Sequence, residues 1–195
     1  MSIIAIITTI ISAAELAAKA GKCSPANQVA AELIPAPPTE LKEKFRWLQC
    51  TIKNETQFDV LLQGTYFDSG RYWTAPGSFS SFAQMVFSCC NGDHTVMTGA
   101  TGGTALRVSL DDKHFYDVAL GWTAPTAGSF KAGVVESSSP KDGYESATAE
   151  GKAVISDTIF EGKDKDGNKA RFRIHLSAAP GLEALFVIKQ VLVAA

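Results

Sequence analysis

The sequence predicts a mainly β protein, built as a β-sandwich that is flanked by an N-terminal amphipathic helix and a second short helix. From Phe45 onward, apolar and polar residues alternate in short runs, and turn-forming residues recur about every 8 to 12 positions. The first 14 residues differ from the rest because they carry no charged side chain. We therefore divide the 195 residues into an amphipathic helix (1–22), a Pro-containing connector (23–44) and a sandwich domain (45–195).

Residues 1–22 are predicted to be helical because their apolar side chains recur at steps of three and four. Ser2 is the expected N-cap, and Gly21 is the expected end. The candidate membrane-inserting residues are the isoleucines Ile3, Ile4, Ile6, Ile7, Ile10 and Ile11. The opposite, polar face holds Thr8, Thr9, Ser12, Glu15 and Lys19. Three interpretations stay open: a helix packed permanently on the main domain, a cleaved signal peptide, and a helix that moves onto or into a membrane.

The connector and two later segments predict further local structure. Prolines interrupt residues 35–38, whereas residues 27–33 and 39–45 each suit a short helix, the second one capped by Thr39. Another short helix is expected within residues 136–150, with Asp142 as its cap. The strongest hairpin signal is Asp166-Gly167, which lies between two alternating runs.

Composition and motifs exclude several classes of function. With 18 Lys and Arg against 20 Asp and Glu, the net charge of -2 gives no reason to expect nucleic acid as a partner. The chain has no nucleophile elbow, no zinc-protease motif and no phosphate-binding loop, so we expect no enzyme activity, no catalytic residue and no cofactor. Since His94, His114 and His175 are scattered, we expect no metal site either.

The cysteines and the basic residues each have a structural interpretation. The four cysteines lack a CxxC pair and are expected to be reduced thiols in or near the core, which favours a cytosolic origin. Basic residues surround the expected hairpin: Lys163, Lys165, Lys169, Arg171 and Arg173. Because Arg171 and Arg173 alternate with apolar residues, they predict a solvated strand face, with contact to an anionic lipid or glycan as the alternative.

Several short motifs occur in an order that is known from one family. They are Asn54-Glu55-Thr56, Tyr66-Phe67-Asp68-Ser69-Gly70, Thr98-Gly99-Ala100, Gly121-Trp122-Thr123-Ala124-Pro125 and Gly143-Tyr144-Glu145. Together with the N-terminal segment, this order resembles the actinoporins, the pore-forming toxins of sea anemones. Residues 102–121 and 164–188 are equally similar to the fungal fruit-body lectins, which share that sandwich.

The resemblance implies an actinoporin-like, membrane-binding cytolysin that forms homo-oligomers on lipid bilayers of target cells and inserts its N-terminal helix. Thr8, Thr9, Ser12, Glu15 and Lys19 would then line a pore that conducts ions. The resemblance also implies a site for a lipid headgroup or a glycan, formed by Ser69, Thr101, Trp122, Pro125, Phe130 and Tyr144. For Trp122, a core position between the sheets is the alternative.

Two other functions stay open. One is a fruit-body-type lectin that binds a cell-surface glycan without forming pores, and the other is an intracellular structural or storage protein. The soluble form is expected to be cytosolic, or secreted without a clear signal peptide.

Overall fold

Two β-sheets packed against each other make up most of the chain in a computed structural model, which describes residues 2–23, 34–93, 95 and 97–193, with residues 21–23 in their main chain only. The larger sheet has the spatial order β1 (Ile3–Thr9), β10 (Ile159–Lys163), β11 (Lys169–Ala179), β12 (Glu183–Val193), β2 (Trp47–Glu55), β5 (Gln84–Cys90) and β4 (Arg71–Thr74), and β9 (Lys152–Ile155) pairs with β11. The smaller sheet has the order β3 (Asp59–Ser69), β6 (Ala100–Ser109), β7 (Phe115–Ala124) and β8 (Lys131–Val135). The predicted mainly β sandwich is therefore confirmed.

The core lies between the two sheets because alternate side chains on each strand point inward. On β11, Phe172, Ile174 and Leu176 are buried, whereas the residues between them are partly exposed. Leu106 and Leu120 of the smaller sheet belong to the same apolar cluster. The alternation that predicted strands from the sequence thus describes which side chains fill the core.

The predicted N-terminal helix is wrong in its first half. Residues Ile3–Thr9 form β1, which pairs in parallel with β10 at the edge of the larger sheet. Isoleucine and threonine are β-branched and favour strands, and the edge of the sheet offers hydrogen-bond partners to the main chain of this segment. The expected helix appears only as α1 (Ala13–Cys23).

Ser12 and Glu15 set the start of α1. The Glu15 N–H donates to Ser12 Oγ (3.2 Å), and the Ser12 N–H donates to the Glu15 carboxylate (3.0 Å). Ser2 is therefore not the N-cap, and its hydroxyl lies 2.9 Å from that of Thr158 instead. The helix also continues past Gly21 to Cys23. Within the described residues, no helix is long and apolar enough to cross a bilayer.

Two shorter helices are present, and their caps differ from those expected. They are α2 (Thr39–Lys42) and α3 (Pro140–Glu145). The N-cap of α2 is Pro38 rather than Thr39. In α3, Ser139 rather than Asp142 is the cap, because its hydroxyl accepts the Asp142 N–H (3.4 Å). The helix expected over residues 27–33 falls outside the described ranges.

Neighbouring glycines allow α3 to lie directly on the smaller sheet. Gly121 of β7 has Gly103 of β6 and Gly133 of β8 as its cross-strand partners. A Cβ atom at Gly121 would lie only 1.9 Å from the carbonyl oxygen of Gly143 in α3. The absence of side chains at these positions therefore lets the helix backbone approach the strands and positions Tyr144 at the end of the sheet.

The predicted hairpin between β10 and β11 is confirmed. Gly167 has a φ of 83°, a conformation that few other residues adopt. Beside the turn, Glu161 pairs with both Lys169 (3.0 Å) and Arg171 (2.7 Å). These two basic residues of the hairpin therefore already have an anionic partner.

Three cysteines are buried free thiols, as the sequence predicted. They are Cys50, Cys89 and Cys90, and the side chain of Cys23 lies outside the described atoms. Burial raises the pKa of the Cys50 thiol well above its usual value, so the thiol stays protonated.

Candidate functional site

An open pocket lies at one end of the smaller sheet, where β3 and β7 end and β6 and β8 begin. Its volume is about 460 Å³, which suits a small polar group. The lining combines hydroxyls, one aromatic ring and one charge of each sign: Ser69, Gly99, Thr101, Thr123, Pro125, Thr126, Lys131, Tyr144, Glu145 and Ala147. We call it the hydroxyl pocket.

The structure brings four of the predicted headgroup or glycan residues together in this pocket: Ser69, Thr101, Pro125 and Tyr144. They are far apart in the sequence, and the pairing of the strands accounts for their convergence. Thr101 of β6 is the cross-strand partner of Ser69 on one side and of Thr123 on the other. Three hydroxyls thus lie side by side across three strands.

Trp122 does not line the pocket. Its side chain is fully buried (0% exposed), and its ring packs edge-on against Phe87 at 4.9 Å and Phe67 at 6.1 Å between centroids. The expectation that Trp122 belongs to the headgroup or glycan site is wrong. Trp122 lies on β7, where alternation turns it inward and turns Thr123 toward the pocket. The alternative interpretation of Trp122, a core side chain between the sheets, is confirmed.

Phe130 also lies outside the pocket lining, since it packs partly buried against the core. Neither Lys131 nor Glu145 was predicted as a site residue, although Glu145 belongs to the same motif as Tyr144. Lys131 reaches the pocket because it is the cross-strand partner of Thr123. Recognition of that strand pairing would have identified it.

The rim of the pocket is held in place by Arg46, which belongs to a distant part of the sequence. Its guanidinium donates to the carbonyl oxygens of Pro125 (2.7 Å) and Thr126 (2.5 Å). Within the pocket, the hydroxyls of Thr101 and Thr123 lie 2.8 Å apart, and Ser69 Oγ donates to the Gly99 carbonyl (3.3 Å). The hydroxyls are therefore positioned by strand pairing and by a fixed loop.

Tyr144 supplies the aromatic surface of the pocket. Its ring lies 5.5 Å from that of Tyr66. Partial burial, followed by the negative charge of Asp68, raises the pKa of the Tyr144 phenol. The phenol therefore keeps its proton. Such a combination of one ring, several hydroxyls, Lys131 and Glu145 can bind a polar, uncharged or zwitterionic group.

The N-terminal segment, residues 2–23, is the second candidate functional region, and hydrogen bonds fasten its β1 strand to the body. The Ile7 N–H donates to the Asp111 carboxylate (3.0 Å). The side chain of Gln57 accepts from the Ile11 N–H (3.0 Å) and donates to the Thr9 carbonyl (2.7 Å). These bonds supplement the pairing of β1 with β10.

The isoleucines of this segment divide between the core and the surface. Ile6 and Ile10 are buried in the core, and Ile4 packs against it. In contrast, Ile3 is 56% exposed and Ile7 is 82% exposed. The division follows from the alternation of β1 and was not expected of a helix.

The polar residues of the segment have local partners. Thr8 donates its hydroxyl to the Leu110 carbonyl, and Ser12 and Glu15 cap α1. The ammonium group of Lys19 lies 5.3 Å from the centre of the Phe82 ring. The side chain of Thr9, in contrast, is exposed. These contacts hold the expected pore-lining residues on the protein surface.

The packing of α1 on the body leaves a cleft. Leu16 is its buried side chain among residues 13–20. Ala13, Ala17 and Ala20 line an open cleft of about 530 Å³ between α1 and the strands β2 and β12. Alanine side chains are too short to fill this space, so few apolar contacts hold α1 in place.

Within the described residues, no group of three or more His, Cys, Asp or Glu side chains is arranged to hold a metal ion. The ring of His114 instead contacts the Asp111 carboxylate (2.9 Å), and His94 lies outside the described residues.

Comparison with known proteins gives structural likeness but no sequence match. No protein-family model matches the chain, and no curated protein matches it. Among solved structures, the chain is similar to one described as the lipid-binding protein Nakanori, with a TM-score of 0.47 and 13% identity, over 89% of this chain and 79% of that one. At that level of similarity, the function of this chain has to be argued from its own residues.

Proposed function

We propose that this protein damages membranes: it binds a lipid bilayer, inserts its N-terminal segment and assembles with further copies into a pore. The observation that carries the proposal is the exposed apolar surface of an uncharged segment. Residues 2–14 carry no charged side chain, and Ile7 is 82% exposed on an edge strand. An exposed isoleucine on an edge strand promotes aggregation and does not stabilise the core. Its presence therefore indicates that this segment also occupies an apolar environment, such as the interior of a bilayer.

The energetics of transfer support insertion. When the segment leaves the body, the core loses Ile6 and Ile10, at about 1.5 to 3 kcal/mol each. A bilayer buries these two and also Ile3 and Ile7, which are exposed in the soluble form. In the bilayer, residues 2–12 would have to become helical, because a helix satisfies the main-chain groups that now pair with β10.

The inserted helix would have a polar face that suits a pore. Thr8, Thr9, Ser12, Glu15 and Lys19 share that face, and Thr8, Thr9 and Ser12 are uncharged. A pore lined by several copies of this face would conduct ions with weak selectivity. The hydroxyl pocket would bind a polar headgroup at the bilayer surface before insertion.

The decisive variant is Ile7→Asp, because Ile7 is exposed and its replacement spares the core. A charge at the centre of a bilayer-buried helix costs about 2.5 to 3.5 kcal/mol or more, so we expect dye release from liposomes to fall strongly. Ile155→Asp is the matched control, since Ile155 is also an exposed strand isoleucine (46%) but lies outside the N-terminal segment. Equal leakage caused by the wild type and by an Ile7→Asp variant with a native circular dichroism spectrum would contradict the proposal.

A glycan-binding protein without pore activity is the second candidate, and the composition of the hydroxyl pocket favours it. A quaternary ammonium group such as choline needs a cage of several rings, since each cation–π contact contributes only about 0.5 to 2 kcal/mol. The pocket offers the ring of Tyr144, and the hydroxyls of Ser69, Thr101 and Thr123 suit a sugar.

Titration with phosphocholine and with a small glycan panel, read by calorimetry, separates the two candidates. We expect phosphocholine affinity in the millimolar range or weaker, which corresponds to only about 4 kcal/mol. Tight glycan binding together with no leakage from any liposome would contradict pore formation and support the glycan-binding function.

A further inference from the structure

The geometry points to a second lipid contact beside the hydroxyl pocket. We propose that Lys44, Phe45, Arg46, Arg71 and Trp73, here named the cation–aromatic patch, bind the surface of a bilayer that contains anionic phospholipid. This inference rests on the proposed membrane function and adds the class of lipid and the residues that select it.

The pairing of three strands assembles the patch. Cys90 of β5 has Trp47 of β2 as its partner on one side and Arg71 of β4 on the other. The residues that precede Trp47 therefore lie one strand away from the start of β4, with the end of β5 between them. Residues 44–46 and residues 71–73, which are distant in the sequence, thus lie near each other.

Cations and rings are in direct contact within the patch. The Lys44 Nζ lies 5.3 Å from the centre of the Trp73 ring, and Arg71 Cζ lies 5.8 Å from the same ring centre. Arg46 Cζ lies 4.9 Å from the centre of the Phe45 ring. These distances fall within the range of cation–π contacts, which keep long basic side chains extended over the rings.

The patch carries more positive than negative charge. Arg71 pairs with Asp93 (2.7 Å). Arg46 binds the neutral carbonyl groups of Pro125 and Thr126, so its charge is not compensated by these contacts. Lys44 has no ion pair among the residues that the structure describes. An anionic surface is therefore the complementary partner.

The exposed rings favour a bilayer over a soluble polyanion. Phe45 is 48% exposed, and Trp73 is partly exposed. Aromatic side chains gain from the interface between headgroups and acyl chains, and basic side chains beside them gain from anionic headgroups. Because Arg46 holds the rim of the hydroxyl pocket, the patch adjoins the pocket, and a single bilayer can contact both.

Partition of the full chain into vesicles of phosphatidylcholine, with and without phosphatidylserine, tests the proposal. We expect the wild type to prefer the phosphatidylserine vesicles, and we expect high salt to abolish that preference. Lys44→Gln should weaken binding to these vesicles about five-fold and leave binding to pure phosphatidylcholine unchanged. Lys44→Arg should restore the preference.

Lys113→Gln is the matched control, because it removes the same charge from the exposed turn between β6 and β7. Equal losses for Lys44→Gln and Lys113→Gln would mean a general charge effect and would overturn the proposal. So would binding to soluble heparin that is as tight as binding to vesicles and insensitive to Phe45→Ser.

The outcomes also separate this inference from the proposed pore. Preferential binding to phosphatidylserine vesicles without any leakage would contradict the proposed pore and support lipid binding by the patch. Equal binding and equal leakage with both vesicle types would contradict lipid selection by the patch and support the proposed pore.

Discussion

Trp122 lies fully buried between the sheets, against Phe67, Tyr72 and Phe87. Trp122→Ala should lower the free energy of unfolding by about 3 to 5 kcal/mol, as is usual for a buried aromatic ring. Urea denaturation measures the change, and Phe115→Ala (Phe115 is 49% exposed) is the control, with an expected loss below about 1 kcal/mol. A Trp122→Ala variant as stable as the wild type would contradict the burial of this ring.

Asp111 makes the fastening of β1 sensitive to acid. Burial by itself would raise the pKa of this carboxyl, but hydrogen bonds from the His114 ring and from the N–H groups of Ile7, Lys113 and His114 outweigh burial and lower the pKa below its ordinary 3.8. A lowered pKa in the folded state stabilises the fold above the ordinary pKa, and this stabilisation disappears as the pH falls toward the folded-state value.

We therefore expect the free energy of unfolding to decrease as the pH is lowered below about 4. Because Glu15, Glu161 and Asp164 also have lowered pKa values, the contribution of Asp111 is the difference between the wild type and Asp111→Asn. That difference should shrink in acid. Urea titrations at several pH values measure it, and parallel pH profiles of the two proteins would exclude the role of Asp111.

Single residues of the pocket were predictable only in part. Ser69, Pro125 and Tyr144 belong to short motifs with a recognisable order, and Thr101 directly follows one of them. No sequence motif points to Arg46, which fixes the pocket rim. Its partners are main-chain carbonyls that lie 79 and 80 positions away in the sequence. Contacts of that kind depend on the three-dimensional path of the chain.

Helix α3 can lie on the smaller sheet only because glycines leave room for it. Gly121→Ala would place a Cβ 1.9 Å from the Gly143 carbonyl oxygen, so we expect α3 to be displaced and the fold to lose about 1 to 3 kcal/mol. Since α3 carries Tyr144, ligand binding in the hydroxyl pocket should fall as well. Thermal unfolding and calorimetric titration measure both effects.

Gly77→Ala is the control for this variant, because a Cβ at Gly77 meets no atom within 4 Å. We expect its stability and its ligand binding to match the wild type. Wild-type behaviour of Gly121→Ala would contradict the close approach of α3 to the sheet.

The first element of the chain shows why periodicity alone misleads. The spacing of the isoleucines at residues 3–11 fits one face of a helix, yet residues 3–9 form a strand. The spacing of apolar residues shows that a helix would be amphipathic. It does not show whether the edge of a sheet is available for pairing, and β10 provides such an edge. A segment with both signals has two alternative structures, which is what conversion from soluble to inserted form would require.

The sandwich as a whole was predictable because its signals are local and repeated. Alternation along the strands identifies the inward side chains, and turn residues such as Gly167 mark the reversals. The order of strands within the two sheets was not predictable, since the sequence does not show that β12 pairs in parallel with β2. That order nevertheless determines which residues share the pocket and which share the patch.

The proposed pore requires that the N-terminal segment leaves the sandwich, and a reversible tether tests that step. The hydroxyls of Ser2 and Thr158 lie 2.9 Å apart, so Ser2→Cys with Thr158→Cys places two thiols within reach of a disulfide. Cys50, Cys89 and Cys90 are buried, and the wild type treated with the same oxidant and reductant controls for all native thiols.

Dye release from liposomes is then measured with the double variant before and after reduction. We expect the oxidised protein to cause no release, because its N-terminus stays bound to the sandwich, and we expect reduction to restore release to the wild-type rate. Release at the wild-type rate by the fully oxidised variant would contradict insertion of the N-terminal segment.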